Sequence, residues 1–186
     1  MPTAVVPMKS MDLAKSRLAA VLDPAGRRAL AHQMLEHVLE TLQQAGISPV
    51  RVADGERDLN ADVAAAARLV QEAGATDLLL VMADLPYLAA GDIAALIEAG
   101  RRSPVVIAEA KDGGTNALLV RPPTVLEFSF ATGQPSARRH AERARAAGLE
   151  PVIVKRPGLA RDIDTPADLA ALASDHPAYR TYRHVA

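Results

Sequence analysis

Carboxylates are the residues that stand out first. The stretch Arg161-Asp162-Ile163-Asp164-Thr165-Pro166-Ala167-Asp168-Leu169 sets Asp162, Asp164 and Asp168 close together. A helix start explains part of it: Thr165 as N-cap, Pro166 in the first helical position and Asp168 three residues past the cap. Nothing in a helix start requires Asp162 or Asp164. In an extended segment, residues two apart point to the same side, so both carboxylates are expected to face one ion. Two unpaired buried carboxylates repel, and a bound Mg²⁺ would relieve that cost. Asp84, ending the apolar run LLLVMA at 78–83, is the expected third oxygen donor. Taken by itself, Asp84 fits a turn or a helix cap equally well.

Two further clusters could bind anions. Pro7-Met8-Lys9 through Ala14-Lys15-Ser16-Arg17-Leu18 places three cations just after a Val-rich run, without the glycines of a Walker loop or a dinucleotide fingerprint. It suits a cradle for a triphosphate and equally a solvated helix face. Asp112-Gly113-Gly114-Thr115-Asn116, with Gly133-Gln134-Pro135-Ser136 downstream, combines a turn that lets backbone N–H groups approach an anion with a helix opening at Ser136. Either turn alone is a hairpin or a cap; the two together point to a small carboxylate or phosphate. The histidines carry less. His32 and Glu36 read as a surface pair, with His37 similar, and His140 falls in a run with Arg138, Arg139, Arg143 and Arg145 that reads as a solvated helix face.

The elements that must hold these residues alternate. Strands are predicted at 4–7, 50–53, 78–83, 105–108, 117–120 and 152–154. Helices are predicted after Asp23, from an Asn60 cap to Gly74, near 93–99, over 136–147 and from Pro166. Short apolar strands alternating with longer helices predict a mostly parallel sheet covered on both faces, and in such sheets ligands sit beyond the carboxyl ends of the strands. One domain is expected over 1–174. The polar tail at 175–186 is expected to carry no regular structure.

Composition narrows the function. The 186 residues are 49% hydrophobic and 23% charged, with 21 Lys+Arg against 22 Asp+Glu and a formal net charge of -1. That balance argues against a nucleic-acid or membrane-surface partner held by bulk charge. With no cysteine there is no disulfide, thiolate metal site or thiol nucleophile. The N-terminus lacks the layout of a signal peptide and no stretch suits a membrane span, so the cytoplasm is the expected compartment.

Taken in order, PMKSMDLAKSRL, LNADV, ADLP, DGGTNALL, SARRH and DIDTPADL resemble the 2-phospholactate/phosphoenolpyruvate guanylyltransferase family, which makes the guanylylated precursor of the deazaflavin coenzyme F-420. The resemblance runs from Val5 to about Leu172. It implies an α/β Rossmann-like nucleotidyltransferase fold, a three-layer αβα sandwich of the GT-A-like kind, and transfer of GMP from GTP to a small phosphorylated acid with Mg²⁺ as cofactor. It implies that Asp84 and Asp164, with Asp162 beside them, hold the metal. Thr115, Gly133 and Ser136 would hold the acceptor's carboxylate, and Lys9, Lys15 and Arg17 the nucleotide phosphates, whose charge they offset during transfer. Asn60, in the LN motif, falls in the nucleotide site. This chain differs from the family in the loop residues Thr132 and Pro135, in its tail, and in lacking the strand–helix unit usual before the LN motif, since Gly46 runs almost directly into Val50. The lost unit leaves an unpaired edge strand, and with it the expectation of a homodimer. Another nucleotidyltransferase, acting on a molybdopterin or sugar acid, and a non-catalytic nucleotide-binding relative are the competing readings.

Overall fold

The computed structural model describes residues 1–9, 15–55, 58–130 and 135–184. Among them six strands form one sheet: β1 (Thr3–Lys9), β2 (Val50–Gly55), β3 (Leu78–Val81), β4 (Val105–Glu109), β5 (Thr115–Val120) and β6 (Val152–Val154). Their order is β2-β1-β3-β5-β4-β6. The β1–β2, β1–β3 and β4–β6 pairs are parallel, and β5 alone runs against its neighbours, Leu78 facing Val120 and Val105 facing Val120.

Alternation along the strands builds two cores. Ala4, Val6, Leu79, Val81 and Leu119 point to one face, where α1 (Pro24–Gln44) and α3 (Ala90–Ala99) cover them with Leu35, Val38, Leu42, Ile93 and Leu96. Val5, Leu78, Leu80, Ile107 and Leu118 point to the other, under Val63, Ala67 and Val70 of α2 (Leu59–Glu72) and Ala137, Ala141 and Ala144 of α4 (Ser136–Ala146). A strand buried on both sides is apolar throughout, as residues 78–81 are. The result is the predicted αβα sandwich, with β2 and β6 at its edges.

Helix starts follow local chemistry. Asp23 accepts the Gly26 N–H at 2.7 Å ahead of Pro24. Thr165 and Asp168 form the predicted capping box of α5 (Pro166–Asp175), with the Asp168 amide donating to Thr165 Oγ1 at 3.2 Å and the Thr165 amide donating to Asp168 Oδ2 at 2.8 Å. The cap of α2 is Asp58 and not Asn60: the Asp58 carboxylate accepts from the Asn60 and Ala61 amides at 2.9 and 3.1 Å. A carboxylate two residues earlier reaches both orphan amides, which frees the Asn60 side chain for other work.

The tail also departs from expectation. Pro177–His184 winds into 3-10 turns. Tyr179, 1% exposed, packs in a third cluster with Leu18, Leu30, Met34, Ile163, Leu169 and Leu172. Aromatic anchoring does this, with Tyr182 packed against the same cluster, and periodicity cannot show it. We expect Tyr179→Ala to lower the unfolding free energy by about 3 kcal/mol in urea titration; a change below about 1 kcal/mol would show that the segment is only loosely held.

Candidate active site

The sheet brings distant segments to one end. β1 and β3 are parallel, so the residues after both emerge together, and Asp84 follows β3 there. Because β5 runs the other way, its first residues, Thr115 and Asn116, lie at that same end, and the Met82 amide donates to the Asn116 carbonyl at 2.9 Å. Asn116 also reaches across: its Nδ2 donates to the Leu159 carbonyl at 2.9 Å, while the Lys111 amide donates to Ala160 at 2.9 Å. These bonds moor the segment that carries Asp162 and Asp164. Between them Ile163 is buried in the third apolar cluster, so the two flanking carboxylates turn the other way.

Oxygens of Asp84, Asp162 and Asp164 lie within 4.8 Å of one another. The Lys15 ammonium enters this cluster, donating to Asp84 Oδ2 at 2.6 Å and to Asp164 Oδ1 at 3.3 Å, and its side chain is only 7% exposed. Arg17 Nη1 donates to Asp164 Oδ2 at 3.2 Å from a more open position. Burial works to lower the Lys15 pKa, but the carboxylates of Asp84 and Asp164 outweigh it and hold the ammonium above its ordinary value. Burial, joined by the negative charges of Asp84, Asp164 and Asp112, pushes the Asp162 carboxyl up to about 6. Lys15 holds a left-handed backbone, φ 55°, which a lysine rarely adopts. Three carboxylates converging on one point make a hard oxygen donor set that could hold a divalent cation.

A second, uncharged group lies in the same hollow. Ser136 Oγ donates to Thr115 Oγ1 at 3.1 Å, and Thr115 Oγ1 also meets His140 Nδ1 at 3.0 Å. The cavity, about 470 Å³, is lined by Lys15, Arg17, Asp84, Asp162 and Asp164 on one side and by Thr115, Asn116, Phe130 and Ser136 on the other. Seven of the ten residues singled out from sequence for the site therefore share one cavity. Of the other three, Lys9 ends β1 at this end of the sheet, and Gly133 lies outside the described residues. Asn60 holds the Phe130 backbone, accepting its N–H at 2.6 Å and donating to its carbonyl at 3.2 Å.

Two expectations are corrected. The Gly113-Gly114 turn does not turn its amides toward a ligand: the Gly114 N–H donates to Asp112 Oδ1 at 2.8 Å and the Gly113 N–H to the Ala110 carbonyl at 3.0 Å. Asp112 itself is the anion that the turn holds, and Gly113, at φ 83°, supplies the left-handed bend. His140 is not on a solvated face but fully buried. Its ring accepts the Ser129 N–H at Nε2, 2.9 Å away, and stands edge-on to Phe130 at 4.7 Å between centroids. The pattern that would have found it is the stripe Ala137, His140, Ala141, Ala144, the buried face of α4. The arginines on the other faces concealed that stripe. His32 and Glu36 do form the expected exposed pair, at 3.3 Å.

The αβα sandwich recurs among solved structures, and the family match makes this chain a nucleotidyltransferase. Among solved structures the chain resembles a nucleotide-diphospho-sugar transferase from Desulfovibrio desulfuricans, with a TM-score of 0.76, 19% identity and coverage of 98% of this chain and 94% of that one. It also resembles 4-diphosphocytidyl-2C-methyl-D-erythritol synthase, with a TM-score of 0.61, 16% identity and coverage of 92% and 95%. Residues 2–182 match the family described as Guanylyl transferase CofC like, and the chain is a member of that family. Similar curated proteins include the phosphoenolpyruvate guanylyltransferase of Rubrobacter xylanophilus, 41% identical over 97% of this chain and 98% of that protein. The 3-phospho-D-glycerate guanylyltransferase of Phenylobacterium zucineum is 35% identical over 93% and 90%.

The buried imidazole gives a stability signature. Burial, then the charges of Arg143 and Arg139 on its own helix, push His140 down to about 4; the Thr115 hydroxyl, the Ser129 amide and the Phe130 ring, which face it from elsewhere, carry no charge. Between the unfolded value near ~6.5 and the folded value, the unfolded chain binds a proton that the native one refuses, so stability falls as pH drops through this window. Relative to His140→Asn, the wild type is expected to lose about 3 kcal/mol as pH falls from 7 to below 4, read by urea unfolding across pH. Parallel pH curves for the two proteins would contradict the buried neutral ring.

Proposed function

We propose that this chain transfers GMP from GTP to a small phosphorylated carboxylic acid, phosphoenolpyruvate foremost, releasing pyrophosphate, as in the biosynthesis of coenzyme F-420. The observation that carries this reading is the division of the cavity: a cluster of carboxylates with Lys15 and Arg17 on one wall, and the Thr115–Ser136 hydroxyl pair on the other. The names of the relatives favour the same chemistry and the same class of acceptor.

An oxygen of the acceptor's phosphate attacks the α-phosphorus, the bond from that phosphorus to the oxygen bridging to the β-phosphate breaks, and the pyrophosphate leaves with the electron pair. A phosphate monoester whose second pKa is near ~6 is already mostly dianionic at neutral pH, so no base is needed. The environment of His140 agrees, since both ring nitrogens are engaged within the protein. Asp84, Asp162 and Asp164 would hold Mg²⁺, which when bound neutralises phosphate charge and makes the α-phosphorus a better electrophile. Lys15 and Arg17, with Lys9, offset charge on the departing pyrophosphate. Thr115 and Ser136, with Gly133, orient the acceptor through its carboxylate, so that its phosphate oxygen is held near the α-phosphorus.

The test is pyrophosphate release with GTP or CTP and Mg²⁺, each with phosphoenolpyruvate, 2-phospholactate or 3-phosphoglycerate. Turnover is expected with GTP and phosphoenolpyruvate. Asp164→Asn should lower kcat about a hundredfold or more at saturating Mg²⁺ while leaving the thermal melt intact. Unchanged turnover in that variant would remove the metal assignment, and CTP as the preferred donor would remove the guanylyl reading.

A further inference from the structure

His140 has no part in the proposed bond-making, yet it is the most buried polar side chain around the cavity, at 0% exposure, and it is fully bonded. Its contacts settle how its proton is placed. The Ser129 backbone N–H can only donate, so Nε2 must be the bare nitrogen. A neutral imidazole with a bare Nε2 carries its proton on Nδ1, and that proton faces Thr115 Oγ1 at 3.0 Å.

This tautomer decides what the hydroxyl pair can offer a ligand. The Nδ1–H, the Thr115 hydroxyl and the Ser136 hydroxyl carry one proton each. One proton fills the His140–Thr115 contact and one fills the Thr115–Ser136 contact. One hydroxyl proton is left over, whichever hydroxyl donates to the other, and both residues line the cavity. With the opposite tautomer, Thr115 would have to donate to Nδ1 and Ser136 to Thr115. No proton would then remain, and the pair would turn only lone pairs toward an anion. A doubly protonated ring is no substitute, because an Nε2–H would oppose the Ser129 N–H.

We propose that His140 is a positioning residue that sets the Thr115–Ser136 pair as a hydrogen-bond donor to the carboxylate of the acceptor acid. The inference rests on the acceptor reading given above. Its support extends beyond the ring. Asn60 clamps the Phe130 backbone from the start of α2, which fixes the neighbouring Ser129 amide, which in turn fixes Nε2. The low pKa of His140 keeps the ring neutral throughout the physiological range.

Two measurements test it. In ¹⁵N-labelled wild type, long-range ¹H–¹⁵N correlation should show His140 protonated at Nδ1 and bare at Nε2 from pH 5.5 to 8; an Nε2–H tautomer, or titration near the ordinary value, overturns the proposal. In steady-state kinetics, His140→Leu leaves the pair its spare proton but removes the Nδ1–H that fixes the Thr115 lone pairs, so the proton is no longer aimed at the carboxylate and KM for phosphoenolpyruvate should rise about tenfold or more. KM for GTP and kcat should stay within about threefold. His140→Asn, whose amide nitrogen stands near the place of Nδ1, should recover most of that loss. Equal effects on both substrates, or no recovery by Asn in a protein that melts like wild type, would mark a merely structural role. If His140→Leu fails to fold, the tautomer and the Asn variant decide. A wild type silent toward every acid overturns the acceptor reading itself, whereas an active wild type with an unaffected His140→Leu overturns this inference alone.

Discussion

Like charges held close together in a half-buried cleft are expensive, and this molecule is arranged around that expense. At ~4 Å and an effective dielectric of ~20, two carboxylates repel by about 4 kcal/mol, and here three share a space in which their oxygens come within 4.8 Å. The protein offsets the cost locally. The Lys15 ammonium, almost excluded from solvent, bonds to two of the acids, and Arg17 reinforces Asp164 from the rim. Asp162 has no such ion pair among the described residues, and burial, joined by the charges of Asp84, Asp164 and Asp112, pushes its carboxyl up to about 6. Concentrated charge of this kind survives only where the surroundings are stable enough to impose it. Here the surroundings are the apolar clusters on both sheet faces and the buried Ile163, whose side chain turns away from the two acids that flank it.

The reversal of β5 is what makes the cleft two-sided. In an all-parallel sheet, the start of a strand lies at the end away from the ligand. Antiparallel pairing with β3 and β4 brings Thr115 and Asn116 to the carboxyl ends of their neighbours, opposite Asp84. Asn116 then ties β5 to the segment leading to Asp162. One strand direction thereby supplies a neutral hydroxyl wall, and the same residues stabilise the charged one. Substitution at Asn116 would disturb both walls together, whereas Ser136 affects only its own.

Much of this was legible in local chemistry. The capping box at Thr165 and the Asp23–Pro24 helix start need only neighbours within a turn, and both were readable. So was the surplus of Asp162 and Asp164 over what a helix start requires, because strand alternation is also a local rule. What stayed hidden depended on partners far along the chain. Asn60 looked like a cap because Asn is a good cap, but Asp58 outcompetes it locally and its real partner, Phe130, is distant. His140 looked solvated because its sequence neighbours are arginines, while its partners, Thr115 and Ser129, meet it only in three dimensions. The glycine turn misled for the opposite reason. Its amides are satisfied so locally, by Asp112 and Ala110, that none is offered to a ligand.

The contrast between the two walls bears on how such a site tells its ligands apart. A donor nucleotide and a phosphorylated acid are both strongly anionic, so a second cationic clamp would attract either one in either orientation. A hydroxyl pair buried at 4% and 6% exposure attracts neither by charge. It contributes only when an oxygen arrives in line with its one unassigned proton. The hydrogen-bond chain from Asn60 through Phe130 and Ser129 to His140 fixes that proton's availability without adding net charge to the cavity. In the proposed reaction the division of labour is then physical: the acids and cations bind by field strength, and the hydroxyls select by geometry. A ligand lacking the matching oxygen would leave a buried donor unpaired, and that penalty discriminates among similar acids more sharply than an added attraction could.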